Sequence, residues 1–148
     1  MPSTHVNLNI HLVFSTKNRQ CFLAESWRDR LFDYLGGITR NLGAIPWAVG
    51  GADEHAHVLL GMRAIHRLAD LTRDIKQGSS RWIHETLQLW EFAWQEGYGA
   101  FSISQSHVEA ERRYILNQAE HHRRVLFQEE YLEFLRRNGV EFDERYLW

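Results

Sequence analysis

The sequence predicts an α+β domain of ferredoxin-like topology, a β-α-β-β-α-β sandwich with an antiparallel sheet, followed by C-terminal helices. Three observations lead there: a strictly alternating strand near the N-terminus, a Gly-Gly turn joining two short strands in the middle, and two amphipathic helical stretches placed between strands. Val6, Leu8, Ile10, Leu12 and Phe14 are apolar at every second position with Asn7, Asn9 and His11 between them, so the first strand buries one face and presents an unusually polar one. From about Glu25 to Leu42, Trp27, Leu31, Tyr34, Leu35, Ile38 and Leu42 recur at helical spacing, and Asn41-Leu42-Gly43 supplies a stop. Ala44 to Gly50 reads as a second strand, and the turn Gly50-Gly51-Ala52-Asp53 leads into a third, His55 to Met62. Leu68, Leu71, Ile75, Trp82 and Ile83 mark a second helix to about Thr86. Strand-like pieces follow at Phe92 to Trp94 and Ala100 to Ile103.

After the last strand, Ser106-His107-Val108-Glu109 has the form of a capping box, with a helix expected to run through Tyr114 to roughly Arg123. A further helix, Gln128 to Arg137, should end at Asn138-Gly139. The chain therefore reads as one domain, 1–148, with a ferredoxin-like core at 1–104 and a C-terminal helical region at 105–148.

Composition sets the outer bounds. A chain of 148 residues with 44% hydrophobic and 13% aromatic content can build a core without staples, and its single cysteine, Cys21, excludes an internal disulfide framework. The opening MPSTHVNLNI has no basic region followed by a long apolar stretch, which points to a cytoplasmic protein, and no apolar run is long enough to cross a bilayer. The formal charge is −2. Basic residues cluster at Lys17 and Arg19, at Arg73, Lys76 and Arg81, and at Arg112, Arg113, Arg123 and Arg124, while acidic residues gather towards the C-terminus. Such segregation can leave one basic face, although a mixed solvated surface has the same composition.

The chemistry concentrates on the third strand. Alternation sends Ala56, Val58, Leu60 and Met62 to the helix-covered core and His55 and His57 together to the other face. In a ferredoxin-like sheet the neighbouring strand is the first, so Asn9 and His11 should share that open surface. His-x-His is a weak signal when it stands by itself. On the capped helix, Tyr114 and Gln118 lie one turn apart on one face, and His121 follows a turn later, whereas His122 points elsewhere. A helix laid across the open sheet face would bring Tyr114 and Gln118 to the two histidines. Neutral imidazoles and an amide oxygen suit Mg²⁺ or Mn²⁺, with zinc as an alternative.

The segments Gly51-Ala-Asp-Glu-His-Ala-His-Val-Leu-Leu60 and Arg113-Tyr-Ile-Leu-Asn-Gln118 resemble the HUH and tyrosine motifs of single-tyrosine transposases, the IS200-like transposases of the smallest bacterial insertion sequences. His11-Leu-Val-Phe-Ser-Thr-Lys-Asn-Arg19 and Phe92-Ala-Trp-Gln-Glu-Gly-Tyr-Gly-Ala-Phe-Ser102 are similar to recurrent segments of the same family. The resemblance spans nearly the whole chain. It implies a homodimeric, metal-dependent nuclease and strand transferase acting on single-stranded DNA, with hairpin ends as expected substrate features. It also implies that His55, His57 and Gln118 hold Mg²⁺ or Mn²⁺ and that Tyr114 is the nucleophile, forming a 5′-phosphotyrosine. The helical tyrosine of one subunit is expected to complete the site of the other.

Lys17 and Arg19 in the loop after the first strand are the expected phosphate contacts, with Asn9 and His11 as further DNA-facing residues. Ala56 is smaller than the bulky aliphatic usual between the two histidines of this motif. Two other readings share the motifs: a nickase acting at replication or repeat-element sites, and a non-catalytic or domesticated nucleic-acid-binding protein.

Overall fold

Strands β1 (Leu8–Ser15), β2 (Ile45–Gly51), β3 (His55–Met62) and β4 (Gly99–Ile103) form one sheet in the order β2-β3-β1-β4, every neighbouring pair antiparallel. The structure, a computed structural model, describes residues 3–147; Met1, Pro2 and Trp148 of the expected 1–148 domain lie outside the described residues. Helices α1 (Arg28–Asn41) and α2 (Leu68–Leu87) complete the β-α-β-β-α-β order, so the expected ferredoxin-like architecture is the observed one.

Alternation decides what each face meets. Leu12 and Phe14 of β1 and Ala56, Val58 and Leu60 of β3 pack against Leu31 and Leu35 of α1 and Leu71, Ile75 and Ile83 of α2. This is the main core, and it fixes the register that turns His55 and His57 to the opposite face. Pro46 is tolerated because β2 is an edge strand, where a missing donor costs no ladder bond, and the β2–β3 register shifts beside it.

The second face is the larger departure from expectation. Helices α3 (Val108–Leu116), α4 (Gln118–His122) and α5 (Phe127–Arg137) cover it, and two smaller apolar clusters form beneath them. One joins Val13 and Phe101 to Phe127, Phe134 and Leu135; the other joins Ala48 and Leu59 to Val108 and Ile115. The expected open polar surface is therefore a buried layer, because α5 contributes an apolar stripe that has nowhere else to go.

Three local expectations are corrected. Phe92 to Trp94 is not a strand: Trp94 makes one bridge to Thr16, and both aromatic rings are buried in the main core, where Trp94 Nε1 donates to Ser79 Oγ at 2.9 Å. The capping box does not form, because a 3-10 turn at Gln105–His107 delays the helix start to Val108; Glu109 then sits in the first turn and pairs with Arg113 at 3.3 Å. The tyrosine helix does not run unbroken to Arg123, since Asn117 leaves helical geometry at φ −100° and ψ 17° and separates α3 from α4. The stop after α5 falls where expected, with Gly139 at φ +64°.

Candidate active site

The pairing of β1 with β3 places Ser15 opposite His55, Val13 opposite His57 and His11 opposite Leu59, so the histidines of the two strands share one face. Their rings are in contact, 4.9 Å between centroids for His55 and His57 and 4.9 Å for His11 and His57. All three are essentially inaccessible to solvent.

Helix α3 reaches them because β2 carries Gly50. A Cβ at that position would lie 2.3 Å from the backbone oxygen of Ile115, so only glycine lets the helix approach so closely. The approach puts the half-buried Tyr114 ring 6.0 Å from His57 and 5.0 Å from His121. Despite the break at Asn117, Gln118 stays on the same face: its Oε1 lies 3.0 Å from His55 Nε2, and the residue is 1% exposed. Tyr114, His55, His57 and Gln118 are thus brought together within a single chain.

The site holds one residue that sequence reasoning missed. Glu130 of α5 is 6% exposed, with Oε1 3.0 Å from His57 Nε2 and 4.0 Å from His55 Nε2, and Oε2 3.1 Å from His121 Nε2. A signal was present: Glu130 lies three residues after Phe127 and four before Phe134, inside the apolar stripe of its helix, where a carboxylate is out of place without a partner.

Electrostatics gives this cluster a definite charge state. Burial pushes the His57 imidazole down to about 3, more than the Glu130 carboxylate beside it can raise it. Burial acts to raise Glu130, but its close approach to His57 and the charge that ring carries in acid outweigh it and hold the carboxyl at about 2. At neutral pH the pair is a neutral ring facing an anion. Burial also lifts the Tyr114 phenol above its ordinary value, reinforced by the charge and hydrogen bonding of Glu130 and opposed by Gln118.

These residues fit a divalent cation. His57 Nε2 and Glu130 Oε1 are buried 3.0 Å apart, and neither has a hydrogen bond. Two imidazole nitrogens, a carboxylate and an amide oxygen are a borderline-to-hard donor set of the kind that holds such ions. His55, His57 and Glu130 lie close enough for one ion to bind all three, and Gln118 Oε1 adjoins them.

The rear nitrogens are also engaged. His55 Nδ1 lies 3.0 Å from Glu54 Oε1, and His57 Nδ1 lies 2.7 Å from His11 Nε2. His122, expected to point away, instead reaches Glu54 Oε1 at 3.1 Å and Asp53 Oδ1 at 3.3 Å. A cleft of about 400 Å³ between α3 and α5 leads to the cluster, bordered by Glu111, Tyr114, His121, Glu130, Phe134 and Arg137.

The expected DNA-facing residues divide into two pairs. Asn9 and His11 are 3% and 1% exposed and spent on internal contacts, Asn9 Oδ1 accepting from Trp47 Nε1 at 3.0 Å, so their placement on an open surface is corrected. Lys17 is exposed in the 3-10 turn after β1, and Arg19 beside it is partly buried. The basic row on α2 is also dispersed, because Arg73 pairs with Asp70 and Asp74 while Lys76 Nζ donates to the carbonyls of Gln95, Glu96 and Gly97.

A ferredoxin-like sheet carrying this buried histidine–carboxylate centre beneath a tyrosine-bearing helix belongs to a DNA-processing class of α+β protein, as comparison with known proteins bears out. The family model described as IS200-like transposase matches residues 4–118, and the chain belongs to that family. A provisionally assigned transposase from Deinococcus radiodurans R1 superposes with a TM-score of 0.64 at 25% identity, over 80% of this chain and 96% of that one. A REP-associated tyrosine transposase bound to a REP hairpin superposes with a TM-score of 0.56 at 15% identity, over 78% of this chain and 68% of that one, a likeness of fold. No curated protein matches the sequence. Among the described residues no helix is long and apolar enough to cross a membrane.

Proposed function

We propose that the chain is a single-stranded DNA transposase that cleaves and rejoins a phosphodiester through Tyr114, with His55, His57, Gln118 and Glu130 holding Mg²⁺ or Mn²⁺. The observation that carries this reading is the position of the Tyr114 ring, 6.0 Å from His57, on the wall of a cleft that is also lined by Glu130, which clusters with His55 and His57. A divalent ion held there supplies positive charge against the non-bridging oxygens of the scissile phosphate.

The chain's own groups do the rest. The Tyr114 hydroxyl gives up its proton to solvent as it attacks phosphorus. The Oη–P bond forms as the P–O3′ bond breaks, and the departing 3′-oxygen takes a proton from solvent. The product is a 5′-phosphotyrosine and a free 3′-hydroxyl. Because the phosphotyrosine keeps the energy of a phosphodiester, attack by another 3′-hydroxyl rejoins DNA without a nucleotide cofactor. Lys17 and Arg19 are the proposed phosphate contacts, and hairpin-bearing single strands are the proposed substrate.

The expectation of a site shared across a homodimer becomes a question of assembly. Here one chain brings Tyr114 to its own histidines, which supports a reaction completed within a subunit. Mixing Tyr114→Phe with His57→Ala protein tests it: no activity returns if each chain uses its own tyrosine, and activity returns if the tyrosine acts across a dimer.

The direct experiment incubates hairpin-bearing single-stranded oligonucleotides with the protein and Mn²⁺ or Mg²⁺. A protein–DNA adduct that survives denaturation is expected from the wild type. Its absence under both ions, with DNA bound, would leave a nucleic-acid-binding protein without strand transfer.

A further inference from the structure

We propose that Glu111, acting through His11, is a positioning residue that fixes the proton of His57 on Nδ1 and so turns the Nε2 lone pair toward the cation. This rests on the reading of His57 as a metal-holding residue. Three groups stand in a row, two buried rings and a carboxylate that is 21% exposed: Glu111 Oε2 lies 2.8 Å from His11 Nδ1, and His11 Nε2 lies 2.7 Å from His57 Nδ1. Beyond the last ring, His57 Nε2 faces Glu130 without a hydrogen bond.

An imidazole bearing one proton can place it on either nitrogen, and only the bare nitrogen can bind a metal ion. Two neutral histidines joined nitrogen to nitrogen are ambiguous alone, because both protons can point either way along the row. A carboxylate stands at each end, Glu111 beside His11 Nδ1 and Glu130 beside His57 Nε2, and a cation held between His57 and Glu130 would leave Glu111 to set the direction. The negative charge of Glu111 draws the His11 proton to Nδ1, which leaves His11 Nε2 as an acceptor. That acceptor draws the His57 proton to Nδ1, and His57 Nε2 is left bare. The first contact is close but not a straight hydrogen bond, so the charge of Glu111 is what selects the tautomer. The nearness of His11 in turn holds the Glu111 carboxyl below its ordinary range, although burial opposes it.

The surroundings leave His11 no other use. It is 1% exposed, its ring packs edge-on against Phe134 at 5.1 Å, and no other polar side chain comes within bonding distance among the described residues. His55 is served differently, by direct contact of its Nδ1 with Glu54. The two histidines thus have separate carboxylates behind them, and that of His57 stands on α3, one turn before Tyr114. Docking of α3 therefore delivers the nucleophile and orients a metal-holding nitrogen in the same step.

The test uses the full-length protein in three variants, Glu111→Ala, Glu111→Gln and His11→Phe, the last chosen to keep an aromatic ring beside Phe134. Long-range ¹H–¹⁵N spectra of the metal-free chains, each also carrying Glu130→Ala to remove the carboxylate beside Nε2, report the His57 tautomer, and calorimetric titration of the chains with Glu130 intact reports Mn²⁺ affinity. With Glu111 and His11 in place, His57 carries its proton on Nδ1. Glu111→Ala and His11→Phe give mixed tautomers and Mn²⁺ binding weakened about tenfold. Glu111→Gln, which fills the same space without the charge, shows much the same loss, whereas a purely structural role for the side chain would be restored by it. An unchanged His57 tautomer and unchanged Mn²⁺ affinity in Glu111→Ala, or in His11→Phe should the first not fold, overturns the proposal. Failure of the wild type itself to bind Mn²⁺ would instead sink the reading of the metal site, and the spectra would still report on the row.

Discussion

His57 Nε2 and Glu130 Oε1 face each other at 3.0 Å inside the protein, and no hydrogen bond joins them. A neutral imidazole and a buried carboxylate in that posture share a target, and a divalent cation is the simplest one. Glu130→Ala is expected to weaken Mn²⁺ binding roughly 100-fold, since even indirect partners of metal-holding groups are worth 10- to 100-fold. Glu130→Gln should fall between, keeping an oxygen but losing the charge. Calorimetric titration decides: wild-type affinity in Glu130→Ala would remove α5 from the site and leave Gln118 as the third group.

Tyr114 stands half-buried beside the Glu130 anion, and both circumstances favour its neutral phenol. The protein therefore holds little phenolate at neutral pH, and the proton must leave during attack. Single-turnover adduct formation should rise about tenfold per pH unit between roughly pH 6 and 9 if loss of that proton limits the rate. Tyr114→Phe is expected to abolish the adduct while leaving Mn²⁺ affinity within about twofold, because the hydroxyl has no place among the metal-holding groups. An adduct of equal yield from the Phe variant, mapped by peptide analysis, would assign the nucleophile elsewhere.

Much of the fold was legible because strand alternation and helical spacing are local signals. The pattern from Val6 to Phe14 and the run Ala56, Val58, Leu60 and Met62 fixed which face each strand would bury, and so sent His55 and His57 to the same side. The tyrosine and amide could be placed because one helical turn separates Tyr114 from Gln118, a relation that survived the break at Asn117. What covers the site was harder to read. A sheet's second face looks open until the helix that closes it is known, and α5 offers no spacing that names β1 and β3 as its partners. Glu130 was lost with it, although its place between Phe127 and Phe134 marked it as inward-facing. His11 was misread for the same reason: a polar residue on an assumed surface suggests DNA, whereas beneath α3 and α5 it becomes a link between Glu111 and His57.

Acid should unfold the protein through His57. An unfolded histidine takes up a proton near pH 6.5, while this one resists until about pH 3, so below pH 6.5 the unfolded chain binds more protons than the folded one. Stability contributed by this group is complete above pH 6.5 and falls as pH drops towards 3, by about 2 kcal/mol at pH 5. Glu130 acts in the same direction at lower pH, because its depressed carboxyl stabilises above about 4.5 and that contribution is lost between 4.5 and about 2. Chemical denaturation from pH 8 to pH 5 should show the loss, and His57→Gln should flatten it. A wild type equally stable at pH 5 and pH 7 would mean that His57 is not held neutral in the fold.

The docking of α3 can be broken without touching any polar group of the site. At Gly50 an added Cβ would meet the backbone oxygen of Ile115 at 2.3 Å, and backbone cannot swing aside as the end of a long side chain can. Gly50→Ala should therefore force α3 off β2, at a cost of about 3 kcal/mol in chemical denaturation. Gly97→Ala is the control, since nothing lies within 4 Å of the methyl it would add. The displacement moves Ile115 and with it the adjacent Tyr114, while His55, His57 and Glu130 are held by β3 and α5. In the folded fraction of Gly50→Ala, adduct formation should thus fall far more than Mn²⁺ binding, which loses at most the roughly tenfold that Glu111 on the same helix contributes. Equal losses of both would mean that α3 and the metal-holding groups are not separable, and wild-type stability would mean that α3 does not rest on Gly50 at all.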